Sequence, residues 1–273
     1  MSKVSIIIPS RGEKSANLNR TLKSIEENAV GEYEVIVGMN GKPYTNLWSF
    51  DMDLKVIQIP ENIGIKGMIN LLATLATGKY IYKSDAHCSF SQSFNQVLQQ
   101  GMQDDWIVTP RFYDYFYLSC PFTDKRGLRF KAGGHWPERT LEKLNSHLDI
   151  DETPQIHGSG WFMTKERFFE LGGFPINDPY GHGQEPLWLG LKNWLMGGKV
   201  MVNKKAWYAH LHQDSRDRGY PENKEETERT YRITAEYWLK HPKFEEFVEK
   251  FMPMPTWPED WKEQLRVWRK NNG

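Results

Sequence analysis

Cysteine is almost missing from this 273-residue chain. Cys88 and Cys120 are its only two, too few for a disulfide scaffold. An excess of charge of either sign is missing as well. Lys plus Arg and Asp plus Glu each number 35, so the formal net charge is zero, and no single-signed field exists to hold a polyanion or an anionic membrane surface. The longest early apolar run, Ile6-Ile7-Ile8, is cut at Pro9, too short for a signal h-region or a membrane span. Neither a G-x-G-x-x-G nor a Walker-type glycine loop occurs, which argues against a Rossmann dehydrogenase and a P-loop enzyme. No internal repeat or low-complexity tract is visible. Core material, by contrast, is ample: 39% of residues are hydrophobic and 14% aromatic, which argues against disorder. The expectation is a soluble, cytoplasmic, globular protein of one large domain, or one domain with a small annex.

The first hundred residues alternate between two periods. Val4–Ile8 is a β-branched run entering a loop at Pro9-Ser10-Arg11-Gly12, and Leu18, Leu22, Ile25 and Ala29 then recur at helical spacing. Strands follow at Tyr33–Val37, ending in Gly38-Met39-Asn40-Gly41, and at Lys55–Ile59. A helix is predicted over Lys66–Thr77 and a fourth strand over Lys79–Lys83. Strand, helix, strand, strand, helix, strand describes an α/β sheet, mostly parallel, in which ligands collect outside the carboxyl ends of the strands. That rule points to residues 9–12, 38–41 and 84–88. Further on, the pattern predicts a helix through Phe94, Val97, Leu98 and Met102, a strand at Trp106–Val108 and another at Trp161–Met163. Two glycine-closed helices are predicted at Lys165–Leu171 and from about Glu185 to Met196, then a strand over Lys199–Val202. Residues 111–150 show no clean period. From residue 222 the chain turns helical, polar and Trp-rich, with apolar stripes at Phe244, Phe247, Val248 and Phe251 and at Trp261, Leu265 and Trp268. Pro253, Pro255 and Pro258 force extended chain between those stripes. The division expected is a domain over 1–221 and a helical extension over 222–273 packed on it.

The chemistry-bearing residues cluster after two strands. In Ser84-Asp85-Ala86-His87-Cys88, residues two apart point to one side of extended chain, so Asp85 and His87 can converge on one ion. A carboxylate with an imidazole suits a divalent metal of intermediate hardness such as manganese. In Ala209-His210-Leu211-His212 either histidine can supply a third ligand, leaving open positions for substrate oxygens. Arg216 and Arg218 lie on a polar stretch where they can fold over a diphosphate; a solvated loop is the plain reading of such a run. Glu185 opens a helix within a glycine-rich loop, where it can accept a proton or a hydroxyl hydrogen bond, or merely complement the helix dipole. Cys88 reads as a packed structural thiol.

Together these segments resemble a GT-A-fold glycosyltransferase. Val4-Ser5-Ile6-Ile7-Ile8-Pro9-Ser10-Arg11 resembles the opening strand of family-2 enzymes. Pro60-Glu61-Asn62-Ile63-Gly64-Ile65-Lys66 and Ala76-Thr77-Gly78-Lys79-Tyr80 resemble the stretches leading to their metal strand. Asp85-Ala86-His87-Cys88 is similar to the metal motif of polypeptide N-acetylgalactosaminyltransferases. The likeness continues through Gly158-Ser159-Gly160, Gly183-Gln184-Glu185 and Gly197-Gly198 to Ala209-His210, covering about residues 3–215. The resemblance implies a Rossmann-like, mostly parallel sheet with flanking helices. It also implies transfer of a sugar from a nucleotide-sugar, a UDP-sugar foremost, to an acceptor hydroxyl with Mn2+ or Mg2+. By match, Asp85, His87 and His210 are the metal ligands. Pro9, Ser10 and Arg11 lie near the nucleotide, Asn62, Gly64 and Lys66 line the same side, and Asp85 approaches the ribose or diphosphate. Glu185 takes the place of the family-2 base or of the retaining family's acceptor- and sugar-contacting Glu. Asn40 stands in the stretch matching the family's base-holding acid. The missing anchor and lectin segments suit a bacterial or viral cytoplasmic enzyme. The acceptor is left open between a glycan, a protein and a modified nucleic-acid base, with 111–150 and the Trp-rich tail as docking places. The alternatives are a nucleotidyltransferase acting on a sugar phosphate and an inactive nucleotide-sugar-binding module.

Overall fold

A run such as Val4–Ser10 (β1), buried at every position, fits only the middle of a sheet covered on both faces. The computed structural model describes residues 1–42, 46–114, 121–123, 125–128, 138–141, 148–153, 156–175, 185, 187–211, 224–251 and 259–272. After β1 come α1 (Ser15–Asn28), β2 (Tyr33–Asn40), β3 (Leu54–Ile59), α2 (Gly64–Leu75), β4 (Tyr80–Ser84) and β5 (Cys88–Phe90). The chain continues through α3 (Phe94–Val97), β6 (Trp106–Asp114), β7 (Pro121–Thr123), β8 (Lys125–Leu128), β9 (Glu138–Leu141), β10 (Ile150–Glu152) and β11 (Gly160–Thr164). Then follow α4 (Lys165–Glu170), a π-helical turn Leu187–Leu191, α5 (Lys192–Leu195), β12 (Lys199–His210), α6 (Lys224–Lys240), α7 (Phe244–Phe251) and α8 (Trp261–Asn272).

The main sheet runs β10-β12-β6-β11-β4-β1-β2-β3, with β5 added to β12 and β7 to β6. β1 pairs in parallel with β2 and β4, β2 with β3, and β12 with β6. β11 is antiparallel to both β4 and β6, so β4 and β6 run the same way. Six strands therefore present their carboxyl ends along one edge, and the loop entering β11 at Gly160 lies on that same edge. Side-chain alternation sends Ile6, Ile8, Val35, Val37 and Tyr82 to one core with α1, and Ile7, Ile36, Ile81 and Trp161 to another with α2 and α4. Close approach of α2 to β2 demands the glycine at 38, where a Cβ would stand 2.4 Å from the Met68 sulfur.

A third core joins Leu191 and Leu195 to Trp238, Leu239, Phe244, Phe247, Val248 and Leu265, with Trp261 and Trp268 packed against it, so these members of the predicted apolar stripes face inward. Arg269 closes this cluster. It donates to the Leu239 and His241 carbonyls at the end of α6 (2.8 and 3.0 Å) and to Glu245 (2.6 Å). Lys250 reaches Glu152 at 2.9 Å and lies 4.4 Å over the Trp194 ring.

Several elements differ from the expectation. β12 runs twelve residues to His210, well past Val202, because β6 and β5 pair along its second half. The helix around Phe94 is four residues long, Phe94–Val97, and gives way to turns that reach Gly101 (φ +74°). The stretch 111–150 holds strand pairings β6–β7 and β8–β9 that no side-chain period announced. Pro253, Pro255 and Pro258 lie outside the described residues.

Candidate metal centre

Two strand ends build the site. β4 delivers Ser84 at the carboxyl edge, and the next three residues turn the chain into β5, which runs back along β12 with Cys88 opposite His210. Asp85 and His87 thus leave a tight turn rather than the extended segment expected, and the turn brings both side chains to the end of β12. The Leu211 N–H donates to the His87 carbonyl at 3.0 Å, and the Asp85 N–H to the Ser159 carbonyl at 3.1 Å, so the turn is tied on both sides.

Three ligating atoms converge there. His87 Nε2 lies 3.0 Å from His210 Nε2, which lies 3.2 Å from Asp85 Oδ2 across 125 positions of sequence. All three atoms fall within 4.8 Å of one another. Neighbouring ligands held about 2.1 Å from a six-coordinate cation stand roughly 3 Å apart, so the cluster has the size of one ion's coordination face. Its two imidazoles and one carboxylate suit manganese better than magnesium or calcium. The three side chains are partly exposed, at 27%, 17% and 13% for Asp85, His87 and His210, so an ion held by them would keep an open side toward solvent. Burial raises the Asp85 carboxyl pKa, but the Lys83 charge and the histidines outweigh it and hold the group well below the usual carboxylate range.

Two further side chains were not anticipated. Glu13 Oε2 meets His87 Nδ1 at 2.7 Å, while its Oε1 accepts from the Lys14 N–H (3.1 Å) and Asn17 Nδ2 (2.8 Å) at the start of α1. A carboxylate on Nδ1 places the proton there and leaves Nε2 as the lone-pair donor facing the centre. Lys83, with a side chain 4% exposed, donates to Asp85 Oδ1 and to the Gly158 carbonyl at 2.6 Å. Glu13 lies one position past the strand-end window 9–12. Lys83 was visible as a lone charge in the strand Tyr80–Ser84, the one signal that could have drawn attention to it. Replacing Glu13 by alanine is expected to weaken Mn2+ binding by about 10–100-fold. Calorimetric titration of Mn2+ into the protein checks this, and unchanged affinity refutes it.

Several of the other predicted residues occupy the adjoining edge. Pro9 and the buried Ser10 end β1, and Arg11 follows. Asn40 ends β2, its amide taken up by the start of α2: Oδ1 accepts from the Ile63 N–H (2.8 Å) and Nδ2 donates to the Gly64 carbonyl (3.1 Å). Asn62 Oδ1 accepts from the Gly64 N–H at 3.1 Å. Asn40 and Asn62 thus brace the loop that they were expected to lend to a ligand. Lys66 is 1% exposed and Glu185 8% exposed, so both are buried, and neither belongs to the three-residue cluster. His212, Arg216 and Arg218 lie outside the described residues. Cys88 is buried, and burial followed by the Asp85 charge pushes its thiol far up, so it is no nucleophile. No helix among the described residues is long and apolar enough to cross a membrane.

Residues 5–171 match the model of glycosyl transferase family 2. A putative polypeptide N-acetylgalactosaminyltransferase 13 from Drosophila melanogaster is 24% identical over 271 residues, covering 86% of this chain and 48% of that protein. Among solved structures, GalNAc-T7 with UDP, GalNAc and Mn2+ superposes with a TM-score of 0.67 at 15% identity, covering 99% of this chain and 55% of that one. The mannosyltransferase PcManGT from Pyrobaculum calidifontis, in complex with GDP-Man and Mn2+, gives 0.54 at 15% identity, covering 98% and 69%. The chain spans about half the length of the curated relatives it matches, or less, from 34% to 48%. With the family match running from the first strand to the end of α4, across the turn that carries Asp85 and His87, the chain belongs to glycosyl transferase family 2 and has the GT-A fold.

Proposed function

We propose that this chain is a metal-dependent glycosyltransferase that moves a sugar from a UDP-sugar to an acceptor hydroxyl. The observation that carries the reading is the convergence of Asp85, His87 and His210 at the carboxyl edge of the sheet. A divalent cation held there, Mn2+ foremost, supplies Lewis-acid neutralisation of charge developing on the diphosphate leaving group. The protein's own part is to present three ligand atoms from one side and leave the opposite side for donor oxygens. Ser10, Arg11 and the loop braced by Asn40 and Asn62 form the neighbouring wall for the nucleoside. We place Glu185 as the group that accepts a hydrogen bond from, or a proton off, the acceptor hydroxyl. Its burial supports that role by keeping water from the carboxylate.

A uridine donor is supported by the likeness to a structure holding UDP. The likeness to one holding GDP-Man makes the guanosine counterpart the necessary control. The test is a thermal-shift panel of UDP- and GDP-sugars with and without Mn2+. A donor at a hundred times its dissociation constant is expected to stabilise the fold by about 2.7 kcal/mol, and to do so only with the cation present. A panel in which no nucleotide-sugar raises the melting temperature overturns the reading. Pyrophosphate exchange with a nucleoside triphosphate is the outcome that would favour a nucleotidyltransferase instead.

A further inference from the structure

Lys83 is a buried charge to which the proposed reaction gives no task. It stands in β4 next to the fully buried Tyr82 and Ser84, where an apolar side chain would pack without desolvating an ammonium. Its acceptors among the described residues are the Gly158 carbonyl and one oxygen of a proposed metal ligand, Asp85 Oδ1. The other oxygen, Oδ2, is the one turned to His210 Nε2 at 3.2 Å. The carboxylate is therefore divided between a resident cation and the coordination face.

The division has two physical consequences. With Oδ1 taken by the ammonium, Asp85 offers a metal ion one oxygen, a disadvantage for Ca2+, which favours many oxygens and bidentate carboxylates. An ammonium within hydrogen-bonding range of the ligating carboxylate also repels any second cation brought to that group, by tenfold or more at the effective dielectric of a protein. Among the described side chains two carboxylates stand against it, Asp85 itself and Glu13 behind His87, so their pull on a bare divalent ion is small. A diphosphate arriving with the ion adds negative charge that outweighs the lysine.

We infer that Lys83 is a positioning residue and built-in counter-cation of this centre, one that makes its hold on free Mn2+ weak and so couples loading of the ion to the donor's diphosphate. The inference rests on the glycosyltransferase reading and deepens it. A merely structural strut between β4 and the loop at Gly158 predicts the opposite sign, since losing a support loosens a metal site.

The experiment is titration of Mn2+ into the full chain, followed by calorimetry and by the paramagnetic resonance of the free ion, with and without UDP. Lys83→Met is expected to bind Mn2+ in the absence of UDP at least tenfold more tightly than wild type. At Mn2+ concentrations where wild type takes up the ion only with UDP, the same variant is expected to take it up without UDP. Lys83→Gln, which loses the charge but keeps a hydrogen-bond donor, provides the measurement if the methionine variant fails to fold, and Lys83→Arg should retain wild-type affinity. Equal or weaker Mn2+ binding by the folded neutral variant overturns the inference while leaving the glycosyltransferase reading in place. Absence of Mn2+ binding by wild type even with UDP overturns that reading, and the inference with it.

Discussion

Asp85→Asn is expected to lower the rate of sugar transfer by about 10³-fold or more while the protein still folds. The amide can keep its oxygen on Lys83 Nζ, but it then turns an NH2 group toward His210, and the coordination face is reduced to two imidazoles. Losing several kcal/mol of leaving-group stabilisation at about 1.4 kcal/mol per tenfold accounts for the size of the effect. Asp85→Ala is a worse test, for a reason visible only in the fold. It leaves the Lys83 ammonium, 4% exposed, with the Gly158 carbonyl as its remaining described acceptor. Breaking that pair should cost about 2–3 kcal/mol of stability, less than for a fully buried pair because Asp85 is 27% exposed. Initial rates of UDP release with Mn2+ measure the catalytic effect, and circular dichroism melting separates it from unfolding. Excess chelator should reproduce the loss in wild type, with recovery on adding Mn2+. An Asp85→Asn rate within tenfold of wild type would remove the metal from the mechanism.

The second large effect lies away from the site, at Glu34. Its fully buried carboxylate accepts from Ser5 Oγ (2.5 Å), Lys55 Nζ (2.5 Å) and both the N–H and hydroxyl of Thr77 (2.7 Å each), stitching β1, β2, β3 and the entry to β4 together. Burial alone would raise its pKa. The hydrogen bonds from Lys55, Ser5 and Thr77 win and hold the carboxyl at about 2, against an ordinary value of 4.5. A depressed folded-state pKa gives stability that is fully present above the ordinary value and is lost as pH falls through about 2. The difference corresponds to about 3 kcal/mol at neutral pH, more than half of it gone by about pH 3. Glu34→Gln should therefore lower stability by about 3 kcal/mol at pH 7 and by roughly half that or less at pH 3. Urea unfolding of both proteins at the two pH values reads the difference directly. A penalty independent of pH would show that Glu34 is held as a neutral acid.

Much of this organisation could be read from local pattern. Leu18, Leu22 and Ile25 announced α1, Ile69, Leu72 and Ala73 the inward face of α2, and Val35-Ile36-Val37 a strand covered on both faces. The Asp-x-His pair was legible because it follows a strand closely enough for strand-end placement to be inferred. Its geometry was read less well: the expectation of extended chain missed the turn that β5 imposes by pairing with β12. Lengths set by partners escaped in the same way. Nothing in Asn203-Lys204-Lys205-Ala206 reads as strand, yet β12 continues through it, shifting register against β6 between Asn203 and Trp207, because pairing with β6 resumes at Trp207 and pairing with β5 joins it at Tyr208.

By itself the sequence determined the alternation of strands and helices, the sheet edge on which chemistry would gather, and the residue types able to hold a divalent ion. All of these depend on periodicity and on neighbours within a few positions, where side-chain direction follows from backbone geometry alone. His210 was named beside Asp85 and His87 only through the resemblance, and tertiary structure decided that the three meet, that Glu13 stands behind His87 from 74 positions away, and that Lys83 takes half of the Asp85 carboxylate. Those contacts are made across strands by packing and register, which fix distances that no local spacing encodes.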